Sequence, residues 1–482
     1  MMDTLERKPL LIENDTPSLG IIGNYTFNEL VVGDTARLMR TIHHSDIELF
    51  ANVSGDVNPA HLDKEYADGS MFHGRIAHGM LGASLFSTLL GTLMPGPGTI
   101  YLGQDLRFLK PVKPGDTITA SVTVREKFAD KNRIIMDCLC TNQNGKSVIS
   151  GVAEVLCPTM KVRRNRMQLP DVQLRRHDAY DTLMRSYVGS PAIPTAVVHP
   201  CDNDSLQGAI DAARAGFIAP ILVGPENKIR GIATAQGFDI ANIRIVNVAH
   251  SHAAAEAGVA LAREGRVQAI MKGSLHTDEL MHEVMRGENG LRTARRISHA
   301  YVMFIPSYPK PLIVSDAAIN IMPTLEDKVD IVQNAIDLAR CLGVATPKVA
   351  ILSAVETPTS KIPGTLDAAV LCKMADRGQI RGGILEGPLA FDNAISAAAA
   401  KTKGIASPVA GDPDVLIVPN LEAGNMLAKQ LSFLAGADGA GVVLGARLPI
   451  ILTSRADSVR SRLASCVTAA LVARGRSTPG AD

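Results

Sequence analysis

No CxxC pair occurs in the 482 residues, and the seven cysteines, at 138, 140, 157, 201, 341, 372 and 466, have no spacing that suits zinc. Reduced, mostly buried thiols in a cytosolic protein are therefore expected, with Cys138 and Cys140 on one face of a strand. Long apolar runs are missing too. None reaches the roughly 18 residues of a membrane span, and MMDTLERKPLLIENDTPSLG at the N-terminus lacks a signal-peptide core. Charge of one sign is absent, since Lys+Arg 49 stand against Asp+Glu 48. That balance argues against nucleic acid or an anionic membrane as the main partner. Neither GxxxxGK(S/T) nor a strand-linked GxGxxG appears, so ATP and NAD have no motif support. Short-period repeats and low-complexity tracts are likewise missing. A soluble, cytoplasmic chain is therefore expected.

Hydrophobic residues make up 46% and charged residues 20%, the profile of a globular protein too long for one domain. Two rhythms divide it. After an N-terminal tail, 1–23, residues 24–158 read as strands around one helix. TARLMRTI (35–42) is a strand, SDIELFANVSG a short helix capped by Ser45, and HGMLGASLFSTLLGTLM (78–94) a helix apolar on nearly all sides. Four β-type runs with short turns follow, and an antiparallel sheet around the buried helix is the natural packing. Residues 159–192 are polar and basic with Pro near both ends, the composition of a linker. From 193 to 482 short apolar runs alternate with helical stretches, which predicts a mainly parallel α/β sheet covered on both faces.

The first chemical signal is VSGDVNPAH, residues 53–61. It is a turn by composition, yet Asp56 and His61 flank an Asn-Pro turn from which both side chains can converge on one water. Downstream, AHGM opens the buried helix. Free N–H groups there, with Gly79 permitting close backbone approach, suit the oxyanion of a thioester carbonyl. The strings FANVSGDVNPAHLDKEYA, IAHGMLGASLFSTLLG and GTIYLGQDLRFLKPVKPGD resemble the MaoC-like hot-dog family of (R)-specific enoyl-CoA hydratases over residues 24–158. The resemblance implies Asp56 and His61 as catalytic dyad and Gly79 as oxyanion donor, with Asn58 shaping the loop and Ser84 near the active site. It also implies syn addition of water to a trans-2-enoyl-CoA, giving an (R)-3-hydroxyacyl-CoA.

The second half gathers small, cationic and helix-start groups at strand ends, where open α/β sheets bind ligands and where an oxyanion such as phosphate fits. VQAIMKGSLHTDEL carries Lys272, GENGLRTARRISH carries Arg292, PNLEAGNMLAKQL places Asn425 at a helix start, and LPIILTSRADSV ends in Ser454, Arg455 and Asp457. GPLAFDNAIS, SPVAGDPDVLIVPNLEAGNMLAKQL and PIILTSRADS resemble, in order, the phosphate acetyl/butyryl transferase family over about residues 190–475. The resemblance implies acyl transfer between CoA and phosphate. Ser454 and Arg455 would hold the acyl phosphate, Arg292 would be a second phosphate clamp, and Lys272 and Asn425 would line the substrate site. Ser461 stands where the acetyl-specific branch has an aspartate that assists thiol deprotonation, and Asp457 matches an acid of the butyryl branch.

The expectation is a multidomain α/β chain. It consists of an N-terminal hot-dog, an antiparallel sheet around one helix, followed by a two-lobed α/β phosphotransacetylase-like domain. Enoyl-CoA, acyl-CoA, phosphate and acyl phosphate are expected as substrates, with no bound cofactor and no metal. A homo-oligomer, dimer or higher, is expected because hot-dog helices need a partner sheet to complete an acyl tunnel. In the alternative, the hydratase is active and a silent transferase-like domain serves as an oligomerisation or CoA-sensing platform, with Ser461 as the discriminator.

Overall fold

In the computed structural model we describe residues 10–13, 20–170, 172, 174, 178–453 and 457–476. The chain divides into two compact units, Met1–Leu174 and Arg175–Asp482.

Alternation builds the first sheet. Every second residue from Ile118 to Val124 is buried, and Ile134, Met136, Cys138 and Cys140 repeat the pattern on the neighbouring strand. Both cysteines therefore face the core. Burial pushes their thiols up to about 12, so they behave as small apolar side chains. Six strands lie in the order Leu10–Glu13, Thr35–Thr41, Thr117–Phe128, Arg133–Asn142, Ser147–Leu156, Ile100–Phe108. Neighbours are antiparallel except the first pair, in which Leu10–Glu13 runs parallel to Thr35–Thr41. That four-residue strand lies within the expected tail, too short to show a period.

The helix Gly79–Thr92 buries Leu85, Phe86, Leu89 and Leu90 against this sheet. Gly82 sets its distance, since a Cβ there would stand 3.0 Å from Ile149 Cδ1. Sheet and helix together make the expected hot-dog. The helix His44–Ser54 is not capped by Ser45: its N-cap is His43, whose N–H donates to the Asp46 carboxylate at 2.8 Å.

The expected linker carries structure at both ends. Arg163–Asn165 pairs antiparallel with Ile21–Gly23 in the first unit. The helix Asp178–Ser186 packs in the second, where the Arg460 guanidinium lies 3.8 Å from the Tyr180 ring centroid. Tyr180, Leu183 and Tyr187 repeat at helical spacing and are buried, an apolar stripe hidden by the basic residues between them.

The second unit is an eleven-stranded sheet. Its order is Arg244–Asn247, Ile218–Gly224, Ile193–Val198, Ala269–Lys272, Ile450–Ile451, Asp438–Leu444, Ser298–Phe304, Leu312–Ser315, Val415–Ile417, Lys348–Leu352, Ile384–Leu389. The first five strands are mutually parallel, as are the last four. Asp438–Leu444 and Ser298–Phe304 are antiparallel to their neighbours, so the two blocks run in opposite directions. This gives the two lobes. Strands such as Ala269–Lys272 and Leu312–Ser315 are buried at every residue, as expected for a sheet covered on both faces. Among the described residues no helix is long and apolar enough to cross a membrane.

Within the junction strand, His299 is 0% exposed and neither ring nitrogen has a hydrogen-bond partner among the described residues. Burial pushes its imidazole down to about 3, so it is neutral in the fold. An unfolded histidine titrates near 6.5, and below that pH the unfolded chain binds a proton that the folded chain refuses. Stability from this group is complete above about pH 6.5 and is lost as pH falls toward 3, at up to about 1.4 kcal/mol per pH unit. In denaturant unfolding across that window the wild type is expected to lose up to about 1.4 kcal/mol more per pH unit than His299→Leu as pH falls. Parallel curves would exclude His299 as the source.

Candidate active sites

The turn predicted to hold the dyad forms as follows. Gly55 ends the helix His44–Ser54 in the left-handed conformation (φ 75°), donating its N–H to Ala51 O at 2.8 Å. Asn58 then caps the short helix Pro59–Leu62, its Oδ1 accepting the Ala60 N–H at 3.0 Å. Asp56 Oδ1 accepts the Asn58 N–H at 3.2 Å, which leaves the exposed carboxylate with a free oxygen in this turn. His61, half-buried on the short helix, donates Nδ1–H to Ile76 O at 2.8 Å. A carbonyl only accepts, so Nδ1 carries a proton, and in the neutral ring Nε2 presents a lone pair.

The structure brings these two residues to the start of the central helix through a third. His78, which precedes Gly79, donates Nε2–H to the Asp56 backbone carbonyl at 3.0 Å and lies 3.8 Å from His61, centroid to centroid. Gly79 is the first residue of the helix, and a Cβ there would lie 2.9 Å from the Phe108 ring. Ser84 is exposed one turn further on, its hydroxyl donating to Leu81 O at 2.7 Å. Asp56, His61 and His78 each bring one ligand-capable atom within 4.8 Å of the other two, the described group that a metal ion could use. His78 is the residue that the sequence did not single out. Its position just before the buried helix was the available signal.

In the second unit, Asn425 and Asp457 line one cavity of about 510 Å³, together with Tyr301, Asp438, Phe433 and Ser461. Burial, and secondarily the Asp457 carboxylate, pushes the Tyr301 phenol up to about 12. Asn425 does not open a helix as expected. The helix Leu421–Phe433 is capped by Asn420, and Asn425 sits a turn inside, its Nδ2 donating to Ala317 O at 3.3 Å. Ser461 has hydrogen bonds of its own: its Oγ accepts the Gly439 N–H at 3.3 Å and its N–H donates to Ser458 Oγ at 3.1 Å. Ser454 and Arg455 lie outside the described residues.

Lys272 and Arg292 are not among the residues lining that cavity. Lys272 is buried, and its ammonium donates to Gly273 O at 3.2 Å and Leu275 O at 3.1 Å. Arg292 is exposed. Its neighbours Arg295 and Arg296 pair with Asp337 and Asp327, which leaves Arg292 as the arginine of the three without an ion pair among the described residues. Tyr301 and Asp438 were not foreseen, since each reads as an ordinary strand residue until the fold turns it toward the cavity.

Comparison with known proteins places both halves. The family model described as phosphate acetyl/butaryl transferase matches residues 252–470, and that described as MaoC like domain matches residues 32–138. A phosphate acetyltransferase of Rhizobium meliloti is 63% identical over 297 residues, spanning 62% of this chain and 94% of the relative. The chain belongs to the phosphate acetyl/butyryl transferase family. It carries in addition an N-terminal MaoC-like domain. Within the transferase family, a phosphate butyryltransferase of Clostridium acetobutylicum is 40% identical over 278 residues, spanning 58% of this chain and 92% of the relative. The crystal structure of a branched-chain phosphotransacylase from Enterococcus faecalis V583 is 29% identical with a TM-score of 0.52, covering 58% of this chain and 99% of that one.

Proposed function

We propose that the chain is a bifunctional CoA-thioester enzyme. Its first unit hydrates trans-2-enoyl-CoA to (R)-3-hydroxyacyl-CoA, and its second exchanges an acyl group between CoA and phosphate. The observation that carries the first half is the meeting of Asp56 and His61 at the start of the central helix, inside a MaoC-like domain. In this reading the Asp56 carboxylate and His61 Nε2 flank one water. The proton leaving that water passes to the dyad, the oxygen attacks the β-carbon, and a proton returns to the α-carbon on the same face. Charge developing on the thioester oxygen is met by the Gly79 N–H at the positive end of the helix. Asn58 keeps the turn in shape, and Ser84, one turn along the same helix, lies beside the acyl-CoA.

For the second half, support comes from the relatives called phosphate acetyltransferase and phosphate butyryltransferase. Phosphate attacks the thioester carbonyl and CoA leaves as thiolate. The reverse reaction needs a base for the thiol, and Asp457, in the cavity with Asn425, has that role. Ser454 and Arg455 bind the acyl phosphate, and Arg292 is the second clamp. Lys272, buried against its own loop carbonyls, acts on the substrate through the loop it orders. CoA thioesters and phosphate enter as substrates. Close kinship with transferases over 94% of a relative's length favours this reading over a silent platform. Exposed Ile100, Leu102 and Phe108 on the last strand of the hot-dog sheet support a homo-oligomer.

Two assays test the halves separately. Asp56→Asn is expected to slow loss of the crotonyl-CoA double bond by about 10²- to 10⁴-fold while KM for crotonyl-CoA stays near wild type. Unchanged turnover sinks the dyad assignment. For the transferase, CoA-dependent phosphate release from acetyl phosphate or butyryl phosphate is expected, and the preferred one reports the acyl preference. Folded protein that releases phosphate from neither contradicts the enzyme reading of that half.

A further inference from the structure

One side chain touches both members of the dyad and has no task in the mechanism above. His78 is 3% exposed. Hydrogen bonds of Asp56 among the described residues run to Ser54 Oγ, to the Asn58 N–H and to His78 Nε2. The first two stay within the turn, whereas the third ties the turn to the central helix. The His78 ring also stacks on His61 at 3.8 Å with the planes 32° apart, and Phe50 packs against it at 5.0 Å. Since Nε2 donates to a carbonyl, it carries the proton. Nδ1 is buried and has no hydrogen-bond partner among the described residues. A proton there would be an unsatisfied buried donor.

Both contacts matter for chemistry rather than for packing alone. The Asp56 turn follows a left-handed glycine and is exposed, so without an anchor its carboxylate is free to swing away from the helix start. The second contact meets His61 at its ring face. When His61 accepts a proton in the proposed reaction, the π-face of the ring beside it faces the charge that forms. We infer that His78 is a positioning residue for the hydration. Through Nε2 it fixes the Asp56 turn against the start of the central helix, and through its ring it holds and supports His61. This rests on the hydratase reading of the first unit.

The test uses the full chain with crotonyl-CoA and three variants. His78→Ala removes both contacts, His78→Gln keeps a donor for the Asp56 carbonyl, and His78→Phe keeps an aromatic face for His61. His78→Ala is expected to lose about 10- to 100-fold in kcat, with KM within about threefold of wild type. Gln and Phe are each expected to recover part of that loss. In His78→Gln the limb of the kcat–pH profile that reports the dyad is expected to move, because the supporting face is gone, while in His78→Phe it stays nearer wild type. A merely structural role would lower the melting temperature without moving that limb. Wild-type kcat and an unmoved profile in all three variants would overturn the inference. If His78→Ala does not fold, the Gln and Phe variants carry the test by the same criteria. A folded wild type that does not hydrate crotonyl-CoA overturns the hydratase reading and the inference with it. An active wild type with unaffected His78 variants overturns the inference alone.

Discussion

Everything proposed for the first unit depends on how closely the central helix approaches its sheet. Gly82 lets the helix lie against Ile149, and Gly79 lets its first turn pass under the Phe108 ring, which leaves no room for a Cβ. Helix N-termini carry unpaired N–H groups and a partial positive charge, but one buried in the sheet or set away from the dyad would serve no substrate. Here the helix start is pinned beside the Asp56–His61 turn by His78. The helix start and the Asp56–His61 turn therefore meet in one place, although they come from separate stretches of chain.

The second unit solves a different problem, with two parallel blocks of opposite direction joined through Asp438–Leu444 and Ser298–Phe304. Junction strands of this kind bring residues from both blocks to one place. Tyr301 and Asp438 come from the junction itself, Asn425 from a helix of the second block, and Asp457 from the chain after Ile450–Ile451. Tyr301 stays a neutral hydrogen-bonding group over any ordinary pH, because its burial and the Asp457 charge both oppose ionisation. Ser461 faces the same cavity with hydrogen bonds of its own, so the acidic character of that cavity rests on Asp438 and Asp457. Asp438 is paired with Arg460.

Much of this was legible in the residues. Period-two burial from Ile118 to Val124 and the apolar helix Gly79–Thr92 follow from pattern alone, and the turn chemistry of Asn58 and Pro59 forms as read. What escaped was whatever depends on contacts distant in sequence. Leu10–Glu13 has no pattern of its own and becomes a strand by pairing with Thr35–Thr41. The helix Asp178–Ser186 was masked by basic neighbours, because composition averages over the tyrosine stripe that packs it. Asn425 is not the helix start that the sequence suggests, because Asn420 takes the cap. His78, a single histidine before a glycine, has no spacing to mark it in the sequence. Only the fold shows that it reaches Asp56 and His61 together.

In the proposed hydration the dyad meets a single face of the bound enoyl group, so the product has one configuration at the β-carbon, and the resemblance to the (R)-specific hydratases implies which one. The most direct measurement is chiral analysis of the product formed when the full chain hydrates crotonyl-CoA. The account predicts (R)-3-hydroxybutyryl-CoA. The (S) product, a racemic mixture, or an unchanged substrate with folded protein would contradict it.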